Sequence, residues 1–315
     1  MKLFTKTYFL LFSLLVSSTN LLAQQYSITD FGAKTGNADN KQFIQRAIDK
    51  ATLEGGTVIV PAGTFMTGTI QLKSNVTLQL NRNSVLKGIA NKAAYPPIRI
   101  AYQAHSTTGQ TGYALIFATK AENIGIVGDG MIDGNGEDPI FDATKNANTM
   151  RPYGLLIESS KNVTISGIRM QNSAMWMQRY VNCDFLKITG ITVFNHANWN
   201  NDGVDIDDCH NVIVADCIID ADDDALCFKS EGDRGVKNVV VTNCILATHA
   251  SAFKFGTGST GGFESVQFSN TVIRQSLATN MKHPFKQKSG LTGIDIASTD
   301  GALVKDINIS NISID

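Results

Sequence analysis

One phrase recurs along this chain, and it leaves few folds open: an apolar-x-apolar triplet, two spacer residues, then apolar-x-apolar again. It reads Val163-Thr164-Ile165 then Ile168-Arg169-Met170, and returns as Leu186-Lys187-Ile188 then Ile191-Thr192-Val193. Further copies begin at Val212, Val239, Val266 and Ile307, and weaker ones at Val76 and Ile124. From Val163 to Val266 the successive intervals are 23, 26, 27 and 27 residues. Short strands at such a period describe a solenoid, in which each repeat buries its apolar face only against its neighbours. Alternation within each triplet turns one row of side chains inward, and stacked coils lie ~4.8 Å apart. The spacing therefore predicts an all-β domain of stacked parallel strands over residues 24–315.

A solenoid needs a cap over its open end. Residues Asp39 to Glu54 supply one: Phe43, Ala47, Ile48 and Ala51 form an apolar helical stripe, and Gly55-Gly56 ends it. The other end differs. The sequence stops at Asp315 directly after a repeat strand, with no capping element, which reads as a domain incomplete at its C-terminus.

Residues 1–23 read as a signal peptide. Lys2 and Lys6 precede an apolar stretch from Tyr8 to Val16, too short for the ~20 residues of a spanning helix, and cleavage fits after Ala23. The mature chain is thus expected to be exported, periplasmic or secreted, with no membrane span and as a monomer. A formal net charge of -1 argues against nucleic acid as a partner. The five cysteines fit the columns. Cys217 and Cys244 stand where other coils carry Ile168, Ile191 and Ile312, as small buried hydrophobes. Cys183 and Cys209 share another column. Either column leaves a bridge between stacked neighbours open.

Three acids break the apolar pattern: Asp202 in Asn200-Asn201-Asp202-Gly203, and the pair Asp223-Asp224. Each motif runs straight into a short strand, Val204-Asp205-Ile206 or Leu226-Cys227-Phe228. If Val204 and Leu226 are equivalent on neighbouring coils, so are Asp202 and Asp224, with Asp223 beside them. Carboxylates this close repel, so at least one should hold its proton to higher pH than a free aspartate. An acid next to a base is what glycoside hydrolysis requires. Two other readings stay open: ordinary Asn/Asp turns, which a β-helix uses freely, and a Ca²⁺ site.

These residues resemble a known family. Ile28-Thr29-Asp30-Phe31-Gly32-Ala33, Gly55-Gly56-Thr57-Val58 and Pro61-Ala62-Gly63-Thr64-Phe65 are similar to the start of pectin-acting right-handed β-helix proteins. Asn200-Asn201-Asp202-Gly203 resembles the Asn-Thr-Asp motif of glycoside hydrolase family 28, the polygalacturonases and rhamnogalacturonan hydrolases. Asp223-Asp224 resembles that family's Asp-Asp motif. The resemblance implies a single-stranded right-handed parallel β-helix of the pectin-lyase-like kind. It also implies inverting hydrolysis of a pectic cell-wall polysaccharide without a cofactor or metal. Asp223 would protonate the leaving oxygen, while Asp202 and Asp224 would position and deprotonate the attacking water. Two features depart from the family. Its Gly-His-Gly histidine position falls on Ser251, with His249 two residues earlier, and its Arg-Ile-Lys motif is matched by Asp295-Ile296-Ala297.

Strand parity defines one more row. If Val204 and Ile206 face in, Asp205 faces out, together with Arg179, Cys227, Lys254 and Asp295. Arg179 and Lys254 either hold a uronate carboxylate or simply balance the aspartates. Asn200, Asp205, Arg179, His249 and Lys254 complete the candidate substrate-binding set. His105, His196, His210 and His283 show no metal-ligand spacing. Trp176, Trp199 and Tyr180 are candidates to stack on sugars, against the usual core role of a large aromatic. A Ca²⁺-dependent lyase or epimerase on the same fold, or a non-catalytic glycan-binding β-helix, remain the competing functions.

Overall fold

A computed structural model describes residues 24–36, 39–102, 111–143, 149–282 and 287–315. Residues 1–23, which the sequence led us to expect as a signal peptide, and His105 and His283 lie outside the described residues. The chain winds into a right-handed parallel β-helix. One ladder of seventeen strands carries the two triplets of each repeat, and a second sheet of eight strands closes each coil.

The predicted columns pair in register. Val163 stands opposite Leu186, Leu186 opposite Val212, Val212 opposite Val239, Val239 opposite Val266, and Val266 opposite Ile307. The weaker copies join the same column, with Ile124 opposite Val163 and Ile126 opposite Leu78. Inward residues are almost wholly buried in one continuous apolar core. Asparagines turn the corners: Asn123, Asn162, Asn211 and Asn238 all take the left-handed conformation that Asn tolerates better than most residues. Several also bond to the equivalent Asn of the next coil, as Asn162 Nδ2 does to Asn123 Oδ1 at 2.9 Å.

The helix Lys41–Glu54 covers the N-terminal end. Its buried stripe is Ile44, Ala47, Ile48 and Ala51, so Ile44 takes the place expected for Phe43. Phe43 lies at the rim, half-buried, with Arg46 over its ring. All five cysteines are free thiols, so neither open bridge forms. Cys209 Sγ instead accepts the Cys183 backbone N–H at 3.2 Å.

Three coils are longer than the rest, and their extra residues fall at one corner, the turn into the eight-stranded sheet. They precede the strands Ala114–Thr119, Tyr153–Glu158 and Thr292–Ile296. Described residues of the first two, among them Thr111, Gly112, Thr149 and Arg151, line an open cleft at this corner.

Candidate active site

The two aspartate motifs occupy this same corner on consecutive coils. Asn200-Asn201-Asp202-Gly203 leads into Val204–Asp207, and Asp222-Asp223-Asp224-Ala225 into Leu226–Ser230. The backbone binds them together: Gly203 N–H donates to Asp224 O at 2.9 Å and Asp223 N–H to Asn201 O at 3.3 Å. Asn201 is the peg that fixes the first turn. It is fully buried, and its Nδ2 donates to Ser173 O at 2.9 Å and Met175 O at 2.8 Å. Position 203 requires glycine, because a Cβ there would meet Ala225 O at 2.5 Å.

One oxygen from each of Asp202, Asp223 and Asp224 lies within 4.8 Å of the others. Asp202 and Asp224 are buried, and Asp223 is the half-exposed member. Burial, and then repulsion from Asp205, Asp223 and Asp224, pushes the Asp202 carboxyl well above the usual range. Burial and then Asp223 push Asp224 up too, opposed by Lys254 and Lys229. Both directions match the repulsion expected of stacked acids.

The predicted outward row is real: Arg179 pairs with Asp205, Asp205 with Cys227, Cys227 with Lys254, and Lys254 with Asp295. Its members behave differently. Lys254 Nζ donates to Asp224 Oδ2 at 2.9 Å. Arg179 is buried, with Asp207 at 3.5 Å and Glu231 at 3.4 Å. Its guanidinium lies 5.3 Å from the Trp176 ring centroid. Asp205 is fully buried, so facing out of the solenoid does not bring it to solvent. Asn200 Oδ1 accepts from Arg151 Nη2 at 3.1 Å. His249 is fully buried and 3.0 Å from Asp222 Oδ1, below the corner.

Sequence reasoning missed two cations. Lys229 follows Asp224 by five residues, and outward parity alone would have found it. Its Nζ lies 3.4 Å from Asp205 Oδ1, 3.3 Å from Cys227 Sγ and 4.9 Å from the Trp176 centroid. Burial pulls its pKa down, but its thiol and carboxylate neighbours outweigh this and keep it charged. Arg151 comes from a lengthened coil that carries no repeat signal.

Among the described residues, two groups have donor atoms close enough for a metal ion. The Asp202–Asp223–Asp224 trio offers oxygen only, which suits a hard cation such as Ca²⁺. His196, Asp222 and His249 form the second, buried group, although their sequence spacing gave no hint of one. A hollow of about 570 Å³ opens at the far end of the eight-stranded sheet among Tyr102, Ser159, Asn182 and Arg234, and none of the trio lines it.

Comparison with known proteins agrees with this geometry. A probable polygalacturonase of Vitis vinifera is 32% identical over 229 residues, 69% of this chain and 46% of the relative. An exo-poly-alpha-D-galacturonosidase of Dickeya chrysanthemi is 29% identical over 263 residues, 67% of this chain and 43% of the relative. The chain thus spans about half the length of these curated relatives. In fold it is similar to a family 28 exopolygalacturonase of Yersinia enterocolitica, with a TM-score of 0.76 at 19% identity, covering 93% of this chain and 66% of that one. The family model for glycosyl hydrolases family 28 matches residues 52–289, the span that holds both aspartate motifs, and this chain belongs to that family.

Proposed function

We propose that residues 24–315 form one catalytic domain that hydrolyses a glycosidic bond in a pectic polysaccharide of galacturonan or rhamnogalacturonan type. The observation that carries this reading is the meeting of three carboxylates from two adjacent coils at one corner, two buried and one partly exposed. Burial and the neighbouring acids raise the proton affinity of Asp202 and Asp224, so the cluster retains a proton where a free carboxylate would have lost it. Asp223, at the open edge, delivers a proton to the leaving oxygen. Asp202 and Asp224 hold the attacking water and take its proton. The names of the relatives, polygalacturonase and galacturonosidase, support a uronate-containing substrate. Lys254 argues against a calcium-dependent reaction, since its ammonium already neutralises Asp224 at 2.9 Å.

Asp295 lies beside Lys254 in the outward row, one coil on. A second uronate carboxylate there would be repelled, whereas a neutral sugar would not. A rhamnose-containing chain is therefore the better substrate, and plain polygalacturonate the poorer. We further propose that the protein is exported and acts as a monomer, as its N-terminal segment and extracellular substrate suggest.

Product analysis on polygalacturonate and rhamnogalacturonan, with and without chelator, tests this reading. The expected result is new reducing ends without ultraviolet absorbance from an unsaturated sugar, at a rate the chelator leaves unchanged. An unsaturated product, with activity lost to chelator and restored by calcium, would make the protein a lyase instead.

A further inference from the structure

We infer that Arg151, with the Tyr153 ring beside it, forms a subsite for one uronic-acid residue, on the opposite side of Asp202 from Lys254. This inference rests on the hydrolase reading for its substrate class. Arg151 lines a hollow of about 260 Å³ together with Gly112, Thr149, Tyr153 and Met175. That volume is below the ~300 Å³ at which pockets for drug-sized ligands begin, so it suits a single sugar ring.

The register places the subsite. Leu155 pairs with Gln178, and Arg179 with Asp205, so Tyr153, Trp176 and Asp202 occupy one column on three successive coils. The Tyr153 and Trp176 rings lie 5.6 Å apart. A glycan lying along this column passes from Lys254 across the trio to the partly buried Trp176 ring, whose apolar body suits the C–H face of a sugar, with the buried Tyr153 ring behind it. Coils repeat every ~4.8 Å, so Tyr153 stands roughly 10 Å along the column from Asp202.

Two arginines border this platform, and only one is suited to a ligand carboxylate. Arg179 already faces Asp207 and Glu231. Arg151 instead donates to neutral oxygens: Asn200 Oδ1 at 3.1 Å, Ala174 O at 3.4 Å and Trp199 O. These bonds fix the guanidinium at the edge of the hollow without cancelling its charge. Asp202 is near enough to be felt electrostatically. The same bonds tie Arg151 to the Trp199–Asn200 turn that carries Asp202, so a merely structural clamp is the alternative.

Charge selectivity separates the two. Calorimetry would compare trigalacturonate with its methyl ester, binding to the full chain carrying Asp223→Asn so that no cleavage intervenes. We expect Arg151→Gln to weaken binding of the acid about tenfold or more, as loss of a charge-assisted hydrogen bond should, and binding of the ester less than about twofold. Arg151→Lys should recover part of the difference. Equal weakening for both ligands, no weakening, or no binding of the acid by the parent chain would overturn the inference. Charge-selective binding without cleavage by the wild-type chain would spare this subsite and defeat the hydrolase reading. Cleavage with no Arg151-dependent selectivity would do the reverse.

Discussion

On the strand Leu226–Ser230, Leu226 and Phe228 enter the apolar core, while Cys227 and Lys229 belong to the opposite face, under the cleft; all four are buried. The two faces of this sheet are equally dry and differ in what holds them. Inward, Leu226 stacks on Phe253 and Phe228 on Phe255, and the rings of Phe253 and Phe268 stack at 3.9 Å. Such contacts are non-directional and tolerate any apolar residue of similar volume. Outward, each charge depends on particular neighbours, and several are poorly served. Asp202 Oδ1 and both oxygens of Asp205 have no hydrogen-bond partner among the described residues. The Lys229 contact to Asp205, at 3.4 Å, is an ion pair without an aligned hydrogen bond. A buried, under-satisfied row costs stability. Its persistence beside three clustered acids marks the outward face as the one shaped by chemistry.

The largest effect should come from separating the two faces by mutation. Asp223→Asn should lower turnover on the best substrate by roughly 10²–10⁴-fold, the usual contribution of a positioned acid or base. Its unfolding midpoint should stay close to wild type, since the side chain is half-exposed. Phe253→Ala should do the opposite, destabilising by about 3–5 kcal/mol through the cavity it leaves. Rate assays alongside denaturant unfolding check both. A Phe253→Ala chain of normal stability, or an Asp223→Asn chain of normal rate, would break the distinction.

A smaller effect should appear in the pH dependence of stability. Burial drives Asp205 up to about 7, against the pull of Lys229, and Asp207 up to about 6, against Arg179. The folded chain therefore binds protons more tightly than the unfolded chain at these sites. Between about pH 4 and 7 it carries more of them, so their contribution to stability falls as pH rises through the folded values. Wild type should lose more thermal stability from pH 5 to pH 8 than Asp205→Asn does. Parallel profiles for the two proteins would show that Asp205 is ionised throughout.

The inward face was almost wholly legible in the sequence, because alternation and a 23–27-residue period are set by backbone geometry alone. The trio was legible for the same reason: Asp202 and Asp224 precede equivalent column residues, Val204 and Leu226. The cleft walls were not. They come from coils lengthened to 48 residues between Val76 and Ile124 and 39 between Ile124 and Val163, where the period fails. Arg151 sits in one of these stretches, so no column pointed to it. His249 was placed near the cleft by its distance from Ser251 in sequence, yet it packs against Asp222 and His196. Parity tells which way a strand residue faces, but it cannot tell what a corner residue meets.

The proposed hydrolysis uses a water held by Asp202 and Asp224 and a proton supplied from Asp223. The trio is tight for this: its nearest oxygens lie within 4.8 Å of one another, whereas inverting pairs usually stand ~6.5–9.5 Å apart and retaining pairs ~5–5.5 Å. The anomeric configuration of the first-formed product, followed by proton NMR before mutarotation, therefore tests the claim most directly. A product of inverted configuration is expected, because water attacks the sugar itself. A product of retained configuration would contradict it and make one of the three aspartates a nucleophile.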